Sequence, residues 1–284
     1  MTFESYSKEK RELIEQALAQ LLPGEDERPS ILHKAMRYSV LSAGKRIRPL
    51  LCLASAEAVG STTEKVLPIA CALELLHSYS IIHDDLPAMD NDATRRGKAA
   101  SHVAFGEAVA ILAGDALLTE AFRILADVGL NKDLKGETLL TIAQLVALAA
   151  GSLGMAGGQV DDLNLEGKQI SLAEVKDIHH RKTGSLIKVS ILAGALAGNA
   201  GSEELKALAR YGECLGLAFQ VSDDIIDLTR GEQDGVSYPA VAGLDEARKH
   251  LRQLGEQALE ALKGFDVKAE PLREIVHFVL SRER

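Results

Sequence analysis

The segment SYSIIHDDLPAMDNDATRRG, residues 78–97, carries Asp84, Asp85, Asp90 and Asp92 behind an apolar run, with Arg95 and Arg96 just after them. Carboxylates this close repel one another, and so do adjacent guanidiniums. A metal-bound phosphate compensates both signs, giving a cation to the acids and an anion to the arginines. Asp84 and Asp90 are six residues apart, so they do not share a face of an ideal helix at about 100° per residue. Pro87 lies between them and bends or ends a helix there. A helix that stops at this point would bring both carboxylates to one cation.

A second group, FQVSDDIID, holds Gln220, Asp223, Asp224 and Asp227. Asp223 and Asp227 share a helical face, with Gln220 one turn earlier, and an acidic i, i+4 pair mildly destabilises a plain helix. A divalent cation reverses that sign. Either group alone reads as a solvated acidic helix end. Two of them, each led in by apolar residues, point to a metal site at the mouth of a core. All-oxygen donors favour Mg²⁺, with Mn²⁺ as the alternative, over zinc. Mg²⁺ takes only one or two carboxylates per ion and completes its shell with water and phosphate oxygens.

Basic residues gather in three places. SAGKRIRP holds Lys45, Arg46 and Arg48, with Gly44 read as a helix C-cap and Pro49 as a helix start. Cations there also have a bland account in the helix macrodipole. TRRG holds Arg95 and Arg96, and HHRKTGSLIK holds His179, His180, Arg181, Lys182, Thr183 and Lys188. Lys182-Thr183-Gly184 falls at an expected helix start, where an ammonium, a hydroxyl and backbone N–H groups bind phosphate. His77 lies about two turns before Asp84; on an apolar helix, such a histidine is more often a packed core residue than a ligand.

Helices must position these groups. Apolar residues recur at helical spacing almost throughout, and alternating β-branched runs are scarce. The pattern predicts helices over 4–21, 29–43, 48–59, 64–83, 101–128, 135–151, 171–180, 183–198, 202–227, 244–263 and 269–281, with breaks that include 91–98, 157–167 and 230–243. No linker or repeat divides the chain, so the expectation is one all-α domain over 1–284. Val66 to Ile82 and Ser185 to Ala197 are apolar on most sides and read as buried helices. Aromatic content of 4% leaves a core rich in small residues, with room for a cavity.

The chain has 284 residues and a formal net charge of −9, which argues against a nucleic-acid partner. Cys52, Cys71 and Cys214 are scattered and odd in number, which fits a reducing cytoplasm rather than a disulfide framework. The N-terminal MTFESYSKEKRELIEQALAQ has no apolar signal core. Leu139 to Val160 is uncharged and long enough to suggest a membrane span, but its Thr, Gln, Ser, Gly and Ala content predicts a buried helix instead, with no stable membrane insertion.

GKRIRP, ELLHSYSIIHDDLPAMDND, RRG, HRKTG and FQVSDDIID occur in the order and rough spacing of the short-chain trans-prenyl diphosphate synthases. The chain resembles that family over nearly its whole length, and most of all its bacterial farnesyl diphosphate-forming type. The resemblance implies a terpenoid-synthase-like bundle around a central cavity, usually as a homodimer. It implies Mg²⁺, commonly three ions, and small-molecule prenyl diphosphates as substrates. Asp84, Asp85 and Asp90 of the first motif and Asp223, Asp224 and Asp227 of the second would hold the metal. Arg95, Lys182, Thr183 and Gln220 would meet the allylic substrate. Lys45, Arg48, His77 and Arg96 would form a metal-free site for isopentenyl diphosphate. The implied reaction is head-to-tail condensation with dimethylallyl or geranyl diphosphate.

Chain length in the family depends on the residues just before the first motif. Tyr79, five positions before Asp84, and the inserted Pro87-Ala88 resemble farnesyl-forming members, while Ser80 is too small to block a pocket. Farnesyl diphosphate is the expected product, with geranyl or geranylgeranyl diphosphate as the alternative. A terpene cyclase would lack the second aspartate motif, and a non-catalytic synthase subunit tends to lose one of the two. One departure stands out. RGEQDGVSYPA reaches Tyr238-Pro239 directly, where the family has a longer loop with a diphosphate-binding lysine. Either the loop is truly short or a flexible segment is missing from the sequence.

Overall fold

Why two helices of this chain are apolar on most sides becomes plain in a computed structural model, which describes residues 2–165, 168–231 and 237–282. Helices α1 (Phe3–Leu21), α2 (Ser30–Val40), α3 (Ile47–Ala58) and α4 (Thr63–Asp84) lead into a two-residue hairpin, β1 (Thr94–Arg95) and β2 (Lys98–Ala99). Then come α5 (Ser101–Phe105), α6 (Glu107–Ala126), α7 (Gly136–Ala150), α8 (Met155–Leu165) and α9 (Leu172–His179). A π turn (His180–Gly184) joins α9 to α10 (Ser185–Ala197). Helices α11 (Ser202–Arg230), α12 (Tyr238–Ala242) and α13 (Leu244–Ala261), a 3₁₀ turn (Val267–Ala269) and α14 (Glu270–Ser281) complete the bundle.

These two largely apolar helices form its centre. Helix α4 packs against α3 and α6, while α10 packs against α3, α7 and α11. Leu73, Leu75 and Leu76 of α4 and Leu186, Ile191 and Ala195 of α10 are fully enclosed. Each such leucine or isoleucine contributes roughly 1.5–3 kcal/mol by leaving water. Gly194 lets α10 press onto α3, because a Cβ there would collide with the Cys52 carbonyl. One hydrophobic core runs from Tyr6 to Val279.

The all-α expectation holds, and the differences are local. The helix expected over 101–128 is cut at Gly106, whose φ of 86° no helix accepts. The helix expected over 29–43 stops at Val40, so Gly44 is not its C-cap. The break expected over 157–167 is largely helical, as α8. The break expected over 230–243 contains α12. Residues 232–236, where the shortened loop was read, lie outside the described residues.

The apolar run 139–160 is not one buried helix. It divides at Gly151–Gly154 into α7 and α8, and Leu140 and Leu153 are 74% and 76% exposed. The stretch Gly136–Leu165 is apolar enough for a membrane span, but its most apolar window is only 33% buried. With 15 and 11 residues, neither α7 nor α8 reaches the ~20 that a bilayer requires. Helix α4 is long enough, but most of it is enclosed by the bundle.

Candidate active site

Helix α4 ends where the first aspartates begin. Asp85 caps it, and the chain turns back so that the Asp90 amide donates to the Asp84 carbonyl at 2.9 Å. Asn91, at φ 54°, completes the reversal. The ending helix thus returns Asp90 to Asp84, as Pro87 suggested. Asp85 is already engaged: Arg95 Nε and Nη2 reach its Oδ1 at 2.8 and 2.5 Å, and Nη2 also meets Asp92 at 2.7 Å. The hairpin makes this possible. Arg96 and Gly97 both have positive φ, the requirement of a tight two-residue turn, so Arg95 doubles back onto the helix end.

Cations line the other side. A cavity of about 850 Å³ is walled by Lys45, Arg46, Arg48, Arg95, Arg96, Arg11, Arg230 and Arg282, against only Glu74 and Asp223. His77, Thr183 and Gln220 also face it, with Ile47, Ile81, Ile187 and Phe219 as its apolar surface. In an acidic protein, such a lining marks an anion site. Arg46, at φ 54°, turns inward and pairs with buried Glu74 at 2.8 Å. Burial and the neighbouring Arg96 bring Arg48 down to about 10, so it stays charged at neutral pH. Burial, then Arg48 and Arg96, push His77 well below the usual imidazole range, so its ring is neutral.

Lys182 and Thr183 come from the π turn rather than from a helix start. Helix α9 passes through the turn into α10 without a break, so no free N–H groups await a phosphate there. Gly216 of α11 packs closely on the turn, since a Cβ on it would lie 2.8 Å from the Gly184 Cα. π turns often occur at functional positions. Here the turn aims Thr183 at Gln220, whose Oε1 accepts from the hydroxyl at 2.7 Å. Lys182 Nζ pairs with Asp162 of α8 at 2.5 Å. Arg181 and Lys188 of the same stretch are held by Asp161 and Glu213.

Helix α11 separates its aspartates. Asp223 faces the cavity and meets Arg282 at 2.5 Å. Asp224 is buried and accepts from Gln220 Nε2 and the Tyr238 amide, with His179 Nε2 at 3.4 Å. Asp227, one turn on, is exposed. Burial lifts the carboxyl of Asp84 to about 6, opposed by Lys182. It also raises Asp85, Asp90, Asp223 and Asp224. Lys182 acts on both Asp84 and Asp90, and Asp162 on both Asp90 and Asp224, so this pair lies between the two groups. Among the described residues, no three acidic, histidine or cysteine side chains converge on one point. A hard cation that takes one or two carboxylates per ion needs no such convergence, and the undercompensated carboxyls of Asp84 and Asp90 suit it.

Tyr79 and Ser80 are not in the cavity wall. The Tyr79 ring meets His83 edge-on at 5.8 Å, and His83 in turn reaches the Ile111 carbonyl of α6. Residues that the sequence reading passed over include Arg11, Glu74, Asp162, Arg230 and Arg282. Glu74 opens the ELLHSYSIIHDDLPAMDND motif, and Asp162 belongs to an Asp161-Asp162 pair beside the glycines of α8.

Residues 29–238 match the family model described as Polyprenyl synthetase. The chain is 40% identical to a geranylgeranyl diphosphate synthase of Cyanophora paradoxa, over 98% of this chain and 96% of the other. It is also 40% identical to a farnesyl diphosphate synthase of Geobacillus stearothermophilus, over 100% and 99%. It superposes on a crystal structure of an FPP/GFPP synthase from Zymomonas mobilis with a TM-score of 0.92 and 35% identity, covering 98% of both chains. Other relatives named for geranylgeranyl synthesis recur among the matches. The farnesyl product expected from the sequence is not singled out.

Proposed function

Because the chain belongs to the polyprenyl synthetase family, and is with it a prenyltransferase, we propose that it joins isopentenyl diphosphate head-to-tail (1′–4) to an allylic diphosphate such as dimethylallyl or geranyl diphosphate. The observation that carries this reading is the cation-rich cavity of about 850 Å³, lined by Asp223 of the second group and by Arg95, which pairs with Asp85 of the first.

Family membership implies Mg²⁺-dependent chemistry. The proposed oxygen donors are Asp84 and Asp90 on one side and Asp223 on the other, with Asp227 nearby. When bound, Mg²⁺ supplies positive charge to the departing diphosphate. Arg95 and Lys182 hold the allylic diphosphate and favour the charge that grows on it. Lys45, Arg48 and Arg96 hold isopentenyl diphosphate, and neutral His77 offers it a hydrogen bond rather than a charge. Ile81, Ile187 and Phe219 keep water from the allylic cation. The double bond of isopentenyl diphosphate, held close, attacks that cation, and the released pyrophosphate takes up the final proton.

On product length, the relatives weigh toward geranylgeranyl diphosphate. Farnesyl diphosphate is the second reading, carried by the aromatic Tyr79 five positions before Asp84, with geranyl diphosphate behind it. The test is incorporation of labelled isopentenyl diphosphate with each allylic primer, with Mg²⁺ and with EDTA, followed by sizing of the dephosphorylated products. Mg²⁺-dependent elongation is the expected result, and none by folded protein refutes the reading. The longest alcohol decides between the two products.

We further propose a homodimer in the cytoplasm. Leu112, Leu140, Leu148 and Leu153 leave α6, α7 and the turn after α7 with exposed apolar side chains that a second copy would cover. The three cysteines are unpaired thiols, which fits a reducing compartment. Sedimentation at micromolar concentration tests the dimer; a monomer there would count against it.

A further inference from the structure

Asp224 belongs to the second aspartate group, yet it is not among the residues that line the cavity. Its side chain is buried, and two donors hydrogen-bond to it. Gln220 Nε2 reaches Oδ1 at 3.0 Å and the Tyr238 amide reaches Oδ2 at 2.7 Å. His179 Nε2 lies 3.4 Å from Oδ2. An ionised carboxylate only accepts hydrogen bonds, so the Gln220 amide has one orientation open to it, with Nε2 toward Asp224. Its Oε1 then points the other way, to the Thr183 hydroxyl 2.7 Å away. An amide oxygen also only accepts, so the hydroxyl proton must lie on the line from Thr183 to Gln220. Thr183 is left with its lone pairs for the cavity, which both residues line.

We propose that Asp224 is a positioning residue rather than a metal ligand: through Gln220 it fixes the Thr183 hydroxyl so that oxygen lone pairs, not a proton, face the reacting end of the allylic substrate. The proposal rests on the prenyl-transfer reading. As the allylic carbon–oxygen bond breaks, its electron pair leaves with pyrophosphate and positive charge grows on carbon. Dipoles already oriented toward that charge lower the barrier without reorganising. A lone pair there favours ionisation, and an O–H proton opposes it. The Tyr238 amide holds the other carboxylate oxygen of Asp224, with His179 Nε2 beside it, so the chain of fixed polarity starts from a buried anchor.

Asp224→Asn is the informative variant, because it keeps the shape and loses the acceptor-only character. Asparagine can turn its NH₂ to Gln220 Oε1, which frees Gln220 Nε2 to face Thr183 and reverses the hydroxyl. The expected result is a kcat lower by about tenfold or more, the usual range for residues that orient others. KM for the allylic diphosphate, and Mn²⁺ binding without substrate read by paramagnetic resonance, should stay within about twofold. Asp223→Asn, run alongside, is expected to weaken Mn²⁺ binding. Gln220→Leu with Asp224→Asn should be no slower than Gln220→Leu alone, since the effect passes through Gln220.

Mn²⁺ binding weakened as much in Asp224→Asn as in Asp223→Asn overturns the proposal. So does an unchanged kcat, or a fully additive loss in the double variant. Gln220→Met leaves the Asp224–Tyr238 bond in place and should lower kcat alike, with Mn²⁺ binding kept. An unchanged kcat there overturns the proposal even if Asp224→Asn fails to fold. The starting protein is assayed first: no elongation by it fails the prenyl-transfer reading itself, and this proposal with it.

Discussion

Arg282 Nη2 donates to Asp223 Oδ1 at 2.5 Å, and its guanidinium carbon lies 4.7 Å from the centre of the Phe219 ring. A residue from the end of the chain thus neutralises the cavity-facing aspartate of the second group. A guanidinium and a divalent cation compete for the same oxygens. Arg282→Gln is expected to bind Mn²⁺ without substrate more tightly, by about tenfold, because a hydrogen bond to a charged group contributes about 1.5–3 kcal/mol. Titration calorimetry reads the affinity directly. Equal or weaker binding in the variant contradicts the competition.

Asp84 sets the sign of a pH dependence. Burial lifts its carboxyl from the ordinary 3.8 to about 6, while Lys182 pulls the other way. A carboxyl with a higher pKa folded than unfolded makes the folded state bind the extra proton. Its contribution to stability is therefore greatest at low pH and is lost as pH rises from about 4 through about 6. Asp85, Asp90 and Asp223 shift the same way, with burial as the first cause. In metal-free protein, Asp84→Asn should be more stable than the starting chain at about pH 7.5 and lose that advantage as pH falls through 6 toward 4. Urea melts in EDTA across that range test it, and an advantage that grows on acidification would be the wrong sign.

Most of the bundle could be read from the sequence because helical periodicity and glycine breaks are local signals. The return of Asp90 to Asp84 was legible for the same reason: Pro87 follows the end of α4 at Asp84 by three residues, where a helix already running cannot easily continue. What failed was everything that depends on packing. Lys182-Thr183-Gly184 looked like a helix start, yet α9 runs on through the π turn, and the missing side chain of Gly216 lets α11 approach Gly184. The apolar run 139–160 gave its composition but not which side is covered, so Leu140 and Leu153 came out exposed. Arg11 and Arg282 sit near opposite ends of the chain, and only the closing of α1 and α14 over the cavity brings them to it. Asp224 looked like its neighbour Asp223, and a rotation of about 100° along the helix gave it a different set of partners.

Gly158 shows how closely one of these contacts is built. A Cβ on it would lie 2.8 Å from the Lys182 Cα and nearer still to the Lys182 amide. Without a side chain there, α8 approaches the π turn closely enough for Asp162 to meet Lys182 at 2.5 Å. Gly158→Ala must push the backbones apart, at a cost of about 1–3 kcal/mol for overpacking. Because Lys182 moves with the turn, KM for the allylic diphosphate should rise as well. A thermal melt together with substrate titration checks both. An alanine variant with unchanged melting temperature and KM would mean the turn yields without cost.

The Arg46–Glu74 pair makes a last prediction, in which stability and binding part company. Both side chains are 1% exposed and meet at 2.8 Å. Removing one partner of a buried pair strands a charge, so Glu74→Leu should lower the unfolding free energy by about 3–5 kcal/mol. The double variant Arg46→Met with Glu74→Leu should recover most of that, since a buried ion pair gains little over apolar residues of similar volume. Glu74 also faces the cavity, where it offsets the field of Arg48. Without it and Arg46 together, the net charge near Arg48 is unchanged, so KM for isopentenyl diphosphate should stay near its starting value. In Glu74→Leu alone, the extra positive charge should lower that KM even as the fold weakens. Denaturant melts and KM measured on the same three proteins decide it: a double variant as unstable as Glu74→Leu would mean that the pair holds the loop before α3 in place through its charges.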